Sequence, residues 1–302
     1  MKKMKKSILV NLMLILIIGN SFLMSSCKKE LENNKTIESK KIEEDLNQMA
    51  IKYRVKNNRY LKMTESEKRL VAAGADLSAA ADFISSTWGL SVIPGAGFAV
   101  GAACGVVATA ASIAAYHSCG ISINGGDSTI ISNILNNSNN YTVANPYNNP
   151  YENVGIRHNQ LIKIYFSGSK RDTLISNVTL IFDSTQLNSE EITSLSKVPD
   201  SVSVSIYNYF RNNVITTEYG IQPALNNFFI NSEDYQLKNI ISTFYNNLKT
   251  INTLTETISY INDCENYFIN CNSISCKTKN VLLTCFAVAK HSYTLWYMAI
   301  TN

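Results

Sequence analysis

Between Asp82 and Asp127 the chain runs for 44 residues without a formal charge. Within it, GAGFAVGAACGVVATAASIAAY (Gly95 to Tyr116) is long enough to cross a bilayer as a helix. Such a segment must be buried in protein or in lipid. Gly97, Gly101 and Gly105 form GxxxGxxxG, a glycine zipper that puts three side-chain-free positions on one helix face and lets another backbone come close. Each glycine costs about 1 kcal/mol relative to alanine in a helix, so the three need a packing reason.

The segment just before it supplies a packing partner. Thr64 and Glu67 in TESE form a capping box, and Leu70, Ala73, Gly74, Leu77, Ala80, Ala81, Ile84 and Trp88 then recur at helical spacing. Pro94 marks a turn. A helical hairpin over about 64–118 is expected. Either its arms bury each other inside the protein, or the hairpin enters a bilayer as in bacteriocins and pore-forming peptides. Ala, Gly, Ser and Thr are marginal inserters, which favours the buried hairpin.

The N-terminus fixes the expected address. Lys2, Lys3, Lys5 and Lys6 precede an apolar stretch, Ile8 to Ile18, that is short for a membrane span, as in an export signal. Leu23-Met24-Ser25-Ser26-Cys27 is similar to the lipobox of bacterial lipoproteins, which makes Cys27 the acylated residue after removal of 1–26. Acyl chains add about 0.8 kcal/mol of membrane affinity per buried CH₂. Without residues 1–26 and their four lysines, 23 basic and 23 acidic residues remain. That balance gives no reason to expect nucleic acid as a partner.

Six further cysteines suit an oxidising compartment. Cys104 and Cys119 would stand roughly 22 Å apart on one straight helix, too far to bridge. Cys264, Cys271, Cys276 and Cys285 lie close in sequence and are the candidates for local disulfides. Their spacing lacks the close pairs of structural zinc sites, so no metal and no cofactor is expected.

The expected fold is mainly α-helical. Residues 27–62 read as anchor and charged tether, 63–119 as the hairpin, 120–152 as an Asn/Pro-rich linker, and 153–302 as a helical C-terminal domain. Helices are expected at Glu152 to Phe166, from Ser189, from Leu237 to about Asn262 behind the cap Ser232-Glu233-Asp234, and from Lys279 to Ile300. The last buries Leu282, Cys285, Phe286, Ala289, Tyr293, Trp296 and Ile300. A minor β element stays open at Thr173 to Phe182 and at Val202 to Phe210.

Catalytic signatures are missing: no GxSxG, HExxH, phosphate loop or Rossmann fingerprint occurs. His117 reads as a helix C-cap, His291 as a solvated residue beside Lys290 and Thr294, and His158 as a capping or packing histidine. An enzyme working through His158 would need an orienting carboxylate, and Glu152 falls on the wrong helix face for that role.

The signal ending at Cys27, the apolar stretch 71–116, the block NPYENVGIRHN (149–159) and AKHSYTLW near the C-terminus together resemble uncharacterised lipoproteins of Bacteroidota. The resemblance implies an outer-envelope location, and it carries no activity. Lys28 rather than aspartate after the lipidated cysteine agrees with the outer-membrane sorting of Gram-negative lipoproteins. The expected function is non-enzymatic, a lipid-anchored binding or accessory protein with an envelope protein as partner. The rival is a membrane-active protein that inserts its glycine-zipper hairpin.

Overall fold

The computed structural model describes residues 35–54, 127–137, 143–167, 189–195, 222–228, 235–251 and 253–301. It also describes residues 74, 76, 79, 80, 104, 105, 107–109, 111–113, 115, 205, 206, 208–210 and 212. Among them every regular element is a helix, so the fold is mainly α. The residues described between 205 and 212 are helical, which settles that stretch against strand. Thr173 to Phe182 lies outside the described residues.

The C-terminal helix organises the rest. In chain order the helices are α1 (Lys35–Ile51), α2 (Asp127–Asn137), α3 (Glu152–Ser167), α4 (Ser189–Leu195), α5 (Gln222–Phe228), α6 (Tyr235–Leu248), α7 (Leu254–Asn270) and α8 (Cys276–Thr301). Ser275 starts α8, its Oγ accepting from the Thr278 N–H at 3.0 Å. Every residue from 281 to 296 is buried, because α2, α3, α6 and α7 all pack on this helix. The predicted stripe from Leu282 to Trp296 is in the core. So is the face that reads as polar, and a helix buried on all sides must find partners for its polar groups.

Three segments fold differently from the sequence expectation. Residues 35–51 are not a solvated tether: α1 lays Ile42, Leu46 and Ala50 into the core against α6 and α7. Tyr267 Oη donates to Asp45 Oδ2 at 2.8 Å, and Tyr53 Oη to Asp263 Oδ2 at 2.8 Å. The charged residues of α1 hid an apolar row spaced by four, which is enough when two helices offer a groove.

The Asn-rich stretch after residue 120 is likewise not all linker. Ile130, Ile131, Ile134 and Leu135 give α2 an apolar side that rests on α8 and α3. Residues of the hairpin, α1, α2 and the C-terminal helices share one hydrophobic core, so 119/120 and 152/153 do not separate packing units.

Third, the amphipathic run from Leu237 is two helices rather than one. Thr253 caps α7, its Oγ1 accepting from the Glu256 N–H at 3.2 Å and donating to Glu256 Oε2 at 2.8 Å. This N-cap competes with continuation of α6 and wins where Lys249 to Ile251 turn. The break lets Phe244 of α6 stack on Tyr260 of α7 (5.6 Å between centroids) and meet Phe286 of α8 (4.6 Å). Aromatic pairs of this kind add about 0.5–1.5 kcal/mol each beyond area burial.

The described hairpin residues run antiparallel and in contact. Cys104 Sγ lies 3.9 Å from the Ala80 carbonyl oxygen, and Ser112 Oγ donates to Asp76 Oδ2 at 3.0 Å. Gly97 and Gly101 lie outside the described residues. Gly105 has its close approach elsewhere: a methyl group there would sit 3.4 Å from the Val154 carbonyl oxygen of α3.

Candidate functional site: an ionic cluster sealed in the core

Lys290, His291 and Ser292 are consecutive on α8, so their side chains leave the axis about 100° apart and each meets a different neighbour. Lys290 points to α7, His291 to the start of α3, and Ser292 to the hairpin. All three are buried. Thr284 and Thr294 on the same helix satisfy themselves by donating to the carbonyls of Asn280 and Lys290.

Around Lys290 two acids converge. Its Nζ lies 2.8 Å from Glu265 Oε2 and 2.9 Å from Glu152 Oε2, with Asn262 Oδ1 at 3.3 Å and the Ala144 carbonyl oxygen at 3.4 Å. Glu152 turns its other oxygen to His291 Nε2 at 2.7 Å. Asn149 closes the far side, its amide donating to Glu265 Oε1 at 2.8 Å and to the Leu283 carbonyl at 2.9 Å. The turn holds Asn149 in place, because the Tyr151 N–H donates to its Oδ1 and its own N–H donates to Asn145 Oδ1. Burial raises the Glu265 carboxyl above the usual range, more than the Lys290 ammonium lowers it.

The second half of the site joins the hairpin to α3. Asp76 Oδ2 accepts from Ser112 and from Ser292 and lies 3.2 Å from His158 Nε2. Trp296 Nε1 donates to Ser112 Oγ at 3.1 Å, which leaves the serine hydroxyl to donate onward to Asp76. The Asn159 amide donates to the His291 carbonyl, so its Oδ1 faces His158 and takes the proton of Nδ1 at 3.0 Å. His158 Nε2 is then the atom aimed at Asp76. The contact is close but out of line and makes no aligned hydrogen bond. Thr109 Oγ1 donates to Gly105 O and approaches His158 O, adding a second tie at the same level.

Ser292, Asp76 and His158 have the composition of a nucleophilic triad in the wrong order. Activation of a serine needs the imidazole between hydroxyl and carboxylate. Here the carboxylate stands between hydroxyl and imidazole, and all three side chains are buried. Among the described residues no group of acids, cysteines and histidines is placed to hold a metal ion, and Lys290 already fills the centre of the acidic pair.

Several sequence expectations change in this light. His291 is not solvated but buried against Glu152. His158 packs as expected, yet its carboxylate partner is Asp76, which helical spacing around Glu152 did not single out. His117 lies outside the described residues, as does Cys27. The local disulfides are not formed: Cys264, Cys271 and Cys285 are free thiols, as is Cys104. Cys264 and Cys285 face the core of separate helices, where burial pushes both thiols up. Cys276 is disulfide-bonded, and its partner is none of these four.

No family model, curated protein or solved structure matches the chain.

Proposed function

We propose that the chain is a lipid-anchored protein of the cell envelope, held in the outer membrane by acylated Cys27, whose mature part acts by binding an envelope partner rather than by catalysis. One observation carries the second half of this reading. Among the described residues, the clustered Asp76, Glu152, Glu265, His158, His291, Lys290 and Ser292 are turned inward and partner one another. A group that acts on a substrate must touch it. The same cluster supports a buried hairpin, since Asp76 and Ser112 tie the apolar arms to α3 and α8. Among the described residues no helix is long and apolar enough to cross a membrane.

Mass spectrometry of the N-terminal peptide, with fractionation and in-cell crosslinking, tests the reading. A diacylated or triacylated Cys27, loss of membrane retention in Cys27→Ala, and a crosslinked envelope protein are expected. An unmodified thiol at Cys27 would remove the anchor. Dye leakage from liposomes on adding delipidated protein, abolished by Gly101→Leu, would replace the binding role with membrane insertion.

A further inference from the structure

The docking of α1 sets how far the folded part can stand from residue 27. The sequence reads 27–62 as anchor and tether, yet α1 begins at Lys35, eight residues after Cys27. A flexible chain of eight residues has a root-mean-square reach of about 16 Å, and about 28 Å when fully drawn out. The 17 residues of α1 cover about 25 Å. On average the link is therefore shorter than the helix it leads into.

The direction of α1 is fixed by its partners. Asp45 meets Tyr267, and further along Tyr53 meets Asp263, so α1 runs antiparallel to α7. Just beyond α1, Arg54 reaches Asn247 and Thr250, where α6 ends. Lys35 lies ten residues before Asp45, about 15 Å along the axis, whereas Tyr267 is only three residues from the end of α7. The start of α1 thus comes level with, or passes, the turn 271–275 that leads into α8. From Asn266 to Asn302 the chain has no acid, and the first turn of α8 brings Lys277 and Lys279 to this end; on α1, Glu38 lies between Lys35 and Lys40. Basic side chains are drawn to anionic headgroups. Asn272 and Ser273 in the turn are exposed and polar, which suits a headgroup layer and not hydrocarbon.

We propose that the bundle stands on its membrane by this end: the start of α1, the turn 271–275 and the first turn of α8 face anionic headgroups around the anchor, while Ile51 and the turn after α6 point away. The inference deepens the proposed function and rests on its acylated Cys27. Turning the bundle over would carry Lys35 about 25 Å off the surface, which the link reaches only near full extension. Lipid thus occupies one end of the bundle, and the opposite end is left to the envelope partner.

Quenching of a fluorophore by lipids with nitroxide headgroups tests it. The full acylated protein is labelled at Cys271, a partly exposed free thiol, or at position 51, 54% exposed, through Ile51→Cys combined with Cys271→Ser. Both are placed in vesicles of phosphatidylethanolamine and phosphatidylglycerol. Quenching is expected to be several-fold stronger at 271 than at 51. Equal quenching, or stronger quenching at 51, in protein that floats with the vesicles overturns the orientation and leaves the anchor standing. Protein that carries no acyl group and does not float removes the anchor and the orientation with it. Should a labelled protein fail to fold, lysine acetylation of the unlabelled protein decides. Relative to Cys27→Ala in solution, vesicles should shield Lys277 several-fold and leave Lys52 and Lys249 unchanged; uniform shielding, or none, contradicts the proposal.

Discussion

Asp76 and His158, eighty-two residues apart in the chain, meet with Oδ2 and Nε2 separated by 3.2 Å and neither side chain exposed. The pair joins an arm of the apolar hairpin to α3, and Ser292 extends the joint to α8. A buried pair of this kind adds little net stability over a well-packed apolar core, but losing one member leaves the other uncompensated. The surrounding alanine-rich surfaces could slide past each other at small cost, and the polar contacts exist in one alignment only.

Glycine positions give the sharpest contrast in packing. A Cβ on Gly155 would run into the Ala287 carbonyl, 2.8 Å from its carbon and 2.6 Å from His291 Cδ2, whereas on Gly105 it would find its nearest atom at 3.4 Å. Gly155→Ala is expected to lower stability by about 1–3 kcal/mol, because backbone cannot yield as a side-chain tip can. Gly105→Ala should be neutral or gain up to about 1 kcal/mol of helix propensity. Thermal melts of the two variants check the pair of outcomes.

A solvated tether and a docked helix predict opposite results at Leu46. This side chain is fully buried in the α1 interface. Leu46→Ala should cost about 2–5 kcal/mol in denaturant unfolding, as for other core leucines. A tether would tolerate the change without effect.

Cysteine chemistry offers a third check. Cys104, Cys264 and Cys285 are buried free thiols, each pushed well above its ordinary value by burial, while Cys271 is partly exposed. The thiolate is the reactive form. A thiol reagent near neutral pH should therefore label Cys271 in the native protein and the other three only after unfolding. Peptide mapping of the labelled sites separates this from the disulfides that close sequence spacing suggests.

Much of the helical plan was legible because it rests on local rules. The stripe of α8 and the start of α3 at Glu152 follow from spacing and end chemistry. The cluster was not legible, for a reason that Lys290 shows. On a surface helix a lysine between alanine and histidine marks the solvated side, and nothing in its neighbours announces that α7 covers it. Glu265 and Asp76 likewise read as ordinary helix acids until packing gives them partners. The one signal that pointed there was indirect: two blocks, NPYENVGIRHN and AKHSYTLW, supply Asn149, Glu152, His158, Lys290, His291 and Ser292. Residues 35–51 misled in the opposite direction, their many charges masking the row Ile42, Leu46, Ala50.

A double-mutant cycle on Asp76→Asn and His158→Gln, read by denaturant unfolding of the full chain, tests most directly whether the sealed pair holds hairpin and helices in one core. Each single change should cost about 3–5 kcal/mol, because it strands its partner in the interior. The double change should cost less than the two together, by about 0.5–3 kcal/mol. Strictly additive costs, or single changes that leave stability untouched, would contradict the account.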